Sequence, residues 1–392
     1  MKIAQIIPFF APAWGYGGPV KVCFELSRKL SLLNNKITVL TTDAYDHTRR
    51  IDKTCEEMDG IKVLRFRNVS NNLAKKSNLY LPKGFKKYFK QNVKNFDLVH
   101  LHAFYTYQNI VAAKYCILNK VPYVLHLHEK FDATSEMGKS GVKKLFLHFF
   151  GKKIIQNAKK IFVLSEQEKA NLLKYDKGLK DKIEIVPNPA PRFEGKCKNK
   201  TALRKKYGLR QNDRVILSLS RLSRFKGIDL LVRAFAILAK KDDRYRLIIA
   251  GPDEDGEKLK LEKIIKDSNI TDKVIFTGLA DEKMKDELFC VSDLFALFSR
   301  YESFGIVILE SLAHSVPVCL SRNVGLSGVV ETGKCGMIIA NPCDYRKSAL
   351  ELEGAFASRN KMALHCKAVV EEFSLDKITK KVVLIYKGVF KK

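Results

Sequence analysis

The feature that most constrains this chain is an alternation of element types that occurs twice. Short apolar runs, KIAQIIPFF, KITVLTTD, IKVLRFRN, FDLVHLHAF, PYVLHLHE, KKIFVLSE and KIEIVPNP, follow one another through the first half. Stretches with helical spacing, of which GGPVKVCFELSRKLSLLNN is the clearest, separate several of them. Apolar runs that are continuous read as strands buried on both faces, the mark of a parallel sheet covered by helices. A polar, Lys-rich segment, APRFEGKCKNKTALRKKYGLRQ, breaks the pattern. It then restarts with DRVILSLSRL, YRLIIAGP, DKVIFTGL, DLFALFS and VPVCLS, and with the helical GIDLLVRAFAILAKK. The expectation is two α/β units in tandem, 1–192 and 200–372, followed by a final helix in 373–392. A length of 392 residues suits that division.

Composition bears on partners and compartment. The formal net charge is +29, which implies an anionic partner: nucleic acid, a membrane surface or a phosphorylated substrate. The nine cysteines include no C-x-x-C pair, so neither a zinc framework nor a thioredoxin-like site is indicated, and reduced thiols in a cytoplasm are expected. No apolar run approaches the ~18 residues of a membrane span. Lys2 and the apolar residues up to Ala11-Pro12-Ala13 imitate a signal peptide, but Gln5 and Pro8 interrupt them and the segment reads as a buried first strand.

In doubly wound sheets, ligands sit beyond the carboxyl ends of the strands, so the residues that follow each strand carry the functional reading. The first strand runs into APAWGYGGPV, with Gly15, Gly17, Gly18 and Pro19. Val20 breaks the G-x-G-x-x-G pattern of a dinucleotide site, which leaves a tight turn or a backbone that approaches phosphate. The first strand of the second unit leads into SLSRLSRFKGIDLL, where Arg221 and Lys226 precede a helix start; two cations and a helix N-terminus suit a diphosphate. Further on, FSRYESFGIVILE places Glu302 just after a strand and Glu310 within the following helix. The backbone N–H groups of Phe304, Gly305 and Ile306 suit phosphate, and a carboxylate suits sugar hydroxyls. His100 and His102 end another strand, but no third ligand with suitable spacing follows, and no metal is expected. Asp253-x-Asp255 reads as a solvated turn rather than a metal motif.

With these stretches in view, the chain resembles the family 4 glycosyltransferases, retaining enzymes of the GT-B fold. GGPVKVCFELSRKL, DLVHLHAF, HLHEKFD, SLSRLSRFKGIDLLVRAF, LIIAGP, VIFTG and above all ESFGIVILE carry the likeness, in order over nearly the whole chain. The resemblance implies two Rossmann-like doubly wound domains facing across a cleft, an N-terminal one for the acceptor and a C-terminal one for the nucleotide sugar. It implies a last helix that returns toward the N-terminal domain. Arg221 and Lys226 match the family's diphosphate-binding pair, Glu310 the glutamate on the ribose hydroxyls, and Glu302 the acidic position beside the donor sugar. Phe304, Gly305 and Ile306 match the backbone that helps hold sugar and phosphate, and Gly17 and Gly18 the loop that closes on the diphosphate. His128 matches the histidine near the reacting sugar, with His126 the alternative. Glu129 follows it where a small residue is common in relatives. The implied activity is retaining hexosyl transfer from a nucleotide-diphosphate sugar to a glycan or lipid-linked acceptor, for cell-surface polysaccharide or glycolipid, with no essential metal.

Two stretches concentrate the positive charge. KKSNLYLPKGFKKYFKQNVK and KSGVKKLFLHFFGKKIIQNAKK each hold seven lysines and no acid. The second interleaves Leu145, Phe146, Leu147, Phe149 and Phe150 with Lys143, Lys144, Lys152 and Lys153, the pattern of a basic helix lying on an anionic membrane. The expectation is a cytoplasmic enzyme, peripheral on the inner leaflet, with no nucleic-acid partner. A sugar-nucleotide epimerase of the same fold would lack ESFGIVILE. A nucleic-acid-binding or membrane-binding protein without catalysis is the other alternative, and neither a helix-turn-helix nor an RNP-like strand supports the nucleic-acid form.

Overall fold

The computed structural model describes residues 1–46, 48–72, 74, 80–128, 140–191, 197, 199–253 and 256–390. Residue contacts divide the chain into two units, Met1–Pro189 with Leu375–Lys392, and Ala190–Ser374.

Unit 1 is built on an eight-stranded sheet in the order β3-β4-β2-β1-β5-β6-β7-β8. Its strands are β1 (Lys2–Ile6), β2 (Lys36–Thr42), β3 (Cys55–Met58), β4 (Ile61–Phe66), β5 (Leu98–His102), β6 (Tyr123–His126), β7 (Lys160–Val163) and β8 (Ile183–Ile185). All pair in parallel except β3, an antiparallel edge strand on β4. The helices are α1 (Gly18–Leu32), α2 (Phe85–Asn92), α3 (Tyr107–Leu118), α4 (Ser140–Phe146), α5 (Lys152–Asn157) and α6 (Glu166–Tyr175). A π-helical turn, Leu147–Gly151, joins α4 to α5. The central strands β5 and β6 are buried along their whole length, as their continuous apolar character requires.

Unit 2 carries a six-stranded sheet in the order β11-β10-β9-β12-β13-β14, every neighbour parallel. The strands are β9 (Arg214–Leu219), β10 (Tyr245–Ala250), β11 (Val274–Gly278), β12 (Leu294–Leu297), β13 (Val318–Ser321) and β14 (Gly336–Ile339). The helices are α7 (Lys200–Lys206), α8 (Ile228–Lys241), α9 (Glu257–Asp267), α10 (Glu282–Val291), α11 (Ile306–Ala313), α12 (Ser327–Thr332) and α13 (Tyr345–Glu372). Helix α8 shows why these segments fold locally. Asp229 sits in its first turn and Lys240 and Lys241 in its last, matching the helix dipole, while Leu231, Phe235 and Leu238 enter the core. The last helix, α14 (Leu375–Phe390), belongs to unit 1: Ile378, Val382, Tyr386 and Val389 pack with Ile3, Leu98, Val124 and Phe162.

Three elements were not expected from the sequence. β3 reads CEEM and has no apolar run, because an edge strand needs none. β14 is only four residues long. α13 spans 28 residues, yet several of the positions it buries are Ser348, Ala349 and Ala355, whose small side chains blur the periodicity.

Candidate active site

The strand order of unit 2 reverses between β9 and β12, which are neighbours in the sheet although β10 and β11 intervene in sequence. Such a switch point leaves a crevice at the carboxyl ends of the two strands. The segment after β9 holds Arg221 and then a short 3₁₀ turn, Arg224–Lys226, capped by Gly227. Gly227 is required there: its φ is +61°, and a Cβ would lie 2.1 Å from the Phe298 carbonyl oxygen at the end of β12. The segment after β12 is fastened to it. The Arg300 N–H donates to Phe225 O at 2.9 Å, and the Arg300 guanidinium holds both Asp229 oxygens, at 2.8 and 2.7 Å.

These attachments bring the Lys226 ammonium onto the Glu302 carboxylate, with both side chains more than four-fifths covered. The Glu302 backbone is pinned by the segment after β13, donating to Asn323 O at 3.2 Å and accepting from Gly325 N at 2.8 Å. Gly305, at φ +83°, turns the chain into α11, whose first N–H groups have no partner within the helix. The Phe304 side chain is buried and packs on Phe373, which leaves only its backbone available to a ligand. Glu310 lies in the second turn of α11 and is held by Lys285 of α10 at 2.7 Å. Although burial pulls the Lys285 ammonium down, Glu310 and Glu282 outweigh it and raise its pKa above the usual value. Lys285 is the residue that sequence reasoning missed. It stands on a helix face 25 positions from its partner, and no motif flags it. Arg221 is exposed on the same segment as Lys226. Asp253 caps α9, accepting from Glu257 N at 2.9 Å, and Asp255 lies outside the described residues.

In unit 1, Gly17 caps α1 at φ +83° and Gly18 opens that helix, so the glycine stretch makes the turn from β1 into α1. His128 follows β6 at φ +55°, a left-handed conformation that costs a non-glycine residue energy and recurs at functional sites. It stacks on His126 with ring centroids 3.6 Å apart, and its Nε2 lies 2.8 Å from His102 Nδ1. Burial pushes its pKa down to about 3, so it is a neutral imidazole at physiological pH. His100 and His102 are fully buried, inside the unit rather than on its surface. Glu129 lies outside the described residues.

The two Lys-rich stretches differ. In α2 the aromatic residues Phe85 and Phe89 are buried while Lys86, Lys87 and Lys90 are exposed, so this is a packed helix with a solvated basic face. Along α4, the π turn and α5, Leu147, Ile154 and Ile155 face inward, whereas Leu145, Phe149 and Phe150 stand 60%, 62% and 44% exposed among the exposed Lys144, Lys152 and Lys153. The side chain of Lys143 is outside what is described. Among the described residues no helix is long and apolar enough to cross a membrane.

Comparison with known proteins agrees with this architecture. Residues 16–191 match the model of Glycosyltransferase Family 4, and residues 199–368 that of Glycosyl transferases group 1. An uncharacterised glycosyltransferase of Methanocaldococcus jannaschii is 25% identical over 99% of this chain and 98% of its own. The alpha-monoglucosyldiacylglycerol synthase of Streptococcus pneumoniae is 31% identical over 52% of this chain and 45% of its own. Among solved structures, Anabaena HepE in complex with UDP-glucose superposes with a TM-score of 0.74 at 19% identity, covering 99% of this chain and 100% of that one. Two doubly wound, mainly parallel sheets, with matches that run in order from residue 16 to residue 368, make this chain a member of glycosyltransferase family 4 with the GT-B fold.

Proposed function

We propose that this glycosyltransferase moves a hexosyl group, with retention of anomeric configuration, from a nucleoside-diphosphate sugar to a hydroxyl of a glycan or lipid-linked acceptor. The observation that carries the reading is the Lys226–Glu302 pair at the switch point of unit 2, with Arg221 on the same segment. In this reading Lys226 and Arg221 bind the diphosphate. Breaking the bond between anomeric carbon and phosphate oxygen places charge on the leaving group, and cations fixed there stabilise the transition state more than the ground state. Glu302 faces the donor sugar, Glu310 takes the ribose hydroxyls, and the N–H groups of Phe304, Gly305 and Ile306 serve phosphate and sugar. The acceptor oxygen bonds to the anomeric carbon on the face that the nucleotide leaves, and the acceptor proton passes to a phosphate oxygen of the departing diphosphate. In unit 1, His128 acts as a neutral hydrogen-bonding partner of the sugar, and Gly17 and Gly18 offer backbone to phosphate. No metal has a part in this scheme.

The donor class is supported by the nucleotide sugar in the HepE complex, and a lipid acceptor by the name of the pneumococcal relative. The exposed Leu145, Phe149 and Phe150 among lysines support a peripheral position on the inner, anionic face of the cell membrane, in polysaccharide or glycolipid synthesis. The test is a thermal-shift screen with UDP-, GDP- and ADP-sugars, since a ligand that binds the folded state stabilises it. Proton NMR of the product of the stabilising donor follows. An axial anomeric proton made from an equatorial one, or no stabilisation by any nucleotide sugar, overturns the proposal.

A further inference from the structure

We propose that unit 1 holds one divalent transition-metal ion of the zinc class on the imidazoles of His100, His102 and His126. This site lies apart from the diphosphate-binding residues of unit 2 but adjoins His128, which hydrogen-bonds His102 and stacks on His126, and it stands whether or not the transferase reading above holds.

The topology supplies what the sequence spacing lacked. His100 and His102 are two apart on β5 and therefore share a face, and the parallel register sets His126 of β6 directly beside His102. All three side chains are at most 1% exposed. One ring nitrogen from each lies within 4.8 Å of the others. Zinc holds nitrogen at about 2.0–2.1 Å, which sets two ligand nitrogens about 3.4 Å apart, so the three rings must converge on the ion as it binds.

The hydrogen bonds of the three rings are unevenly distributed. Among the described residues, neither ring nitrogen of His126 has a partner, nor does Nε2 of His100. A buried polar atom left unpaired is costly, so an ion that takes the one lone pair that each of these neutral imidazoles carries is favoured. On two of the three rings the Nδ1 is already secured: His100 Nδ1 lies 2.6 Å from the Tyr386 hydroxyl and His102 Nδ1 lies 2.8 Å from His128 Nε2. Metal-bound imidazoles characteristically hydrogen-bond through their other nitrogen. Burial holds all three below the usual histidine pKa, which leaves them as neutral ligands.

A fourth donor is within reach. Cys23 Sγ, on α1, lies 3.6 Å from His102 Nε2. A thiolate and an imidazole on one tetrahedral zinc are separated by about 3.6 Å, from Zn–S and Zn–N lengths of about 2.3 and 2.05 Å. Burial pushes the Cys23 thiol up to about 12, and coordination would deprotonate it. Binding requires the Gln5 amide, 2.7 Å from His102 Nε2, to turn aside. An all-nitrogen and sulfur set favours zinc, copper or nickel over magnesium or calcium. The ion would clamp the ends of β5 and β6 beneath α1 and α14, at the strand from which His128 emerges.

The experiment uses the full chain, purified without a histidine tag, stripped by a chelator and offered Zn²⁺ or Co²⁺. Expected are one ion per chain after gel filtration, a visible Co²⁺ spectrum of the intense tetrahedral type, and a raised Tm that the chelator reverses. Mg²⁺ gives none of these. His100→Asn and His126→Asn each lose the ion while far-UV circular dichroism stays unchanged. Uptake that persists in both variants places the metal on surface histidines and overturns the proposal. Should the variants unfold, the unsubstituted chain decides alone: substoichiometric uptake, or a weak octahedral Co²⁺ spectrum, overturns it.

Discussion

Lys285 on α10 and Glu310 on α11 lie 2.7 Å apart, and each side chain is only 13% exposed. The carboxylate that the proposed mechanism assigns to the ribose is thus oriented by a lysine that belongs to no motif. Replacing Lys285 by Met removes the orienting charge and leaves the reacting centre alone. We expect KM for the donor to rise about tenfold with kcat nearly unchanged, the pattern of lost uniform binding. Steady-state kinetics with varied donor check this; a fall in kcat at constant KM would place Lys285 in the chemical step.

Lys226 and Glu302 should behave differently. Their proposed partners are the leaving diphosphate and the reacting sugar, so Lys226→Ala and Glu302→Gln should each lower kcat by about 10²-fold or more. Circular dichroism and Tm check that the fold survives. Near-normal turnover in both variants would reject these roles.

Gly227 carries a stability prediction. An alanine there must adopt φ near +61° and drive its Cβ into the Phe298 carbonyl. Gly227→Ala should cost about 3 kcal/mol, whereas Gly15→Ala, where a Cβ meets nothing within 4 Å, should stay within about 0.5 kcal/mol. Urea unfolding followed by fluorescence measures both.

The Arg300–Asp229 pair predicts a pH dependence. Burial works to raise the Asp229 pKa, but the Arg300 hydrogen bonds and charge prevail and leave it below the usual value. A carboxyl whose folded pKa is depressed contributes stability above the unfolded pKa of about 3.9 and loses it as pH falls through the folded value. The Tm advantage of the unsubstituted chain over Asp229→Asn should therefore be constant at neutral pH, begin to fall at about pH 3.9 and vanish only below the lower, folded-state value. Scanning calorimetry on the two proteins across that range is the check.

The exposed aromatic ridge on the π turn predicts selective vesicle binding. Anionic liposomes should pull down the chain, neutral ones should not, and Phe149→Ser with Phe150→Ser should weaken the effect several-fold. Equal recovery with both vesicle types would remove membrane docking from the functional reading.

Much of this molecule is legible in its sequence because parallel sheets demand unbroken apolar runs. β1, β2, β5, β6, β9 and β10 announce themselves that way, and so does the turn of glycines into α1. Glu302 and Lys226 could be named because strand ends are where such folds place ligands, although their pairing could not, since it depends on which strands become neighbours. The same limit hid Lys285. It also hid the histidine cluster: His126 joins His100 and His102 only through the register of β5 on β6, a relation that residue spacing does not encode. β3 escaped because an edge strand with two glutamates has no apolar signature.

The placement of α14 has a consequence for synthesis. Until the ribosome has delivered residues 375–390, the face of the first sheet bearing Ile3, Leu98, Val124 and Phe162 has no cover from Ile378, Val382 and Tyr386. Most of unit 1 is therefore translated before the second unit but completed only after it, and until then that part of its core rests on what α1 supplies through Cys23, Leu26 and Leu30.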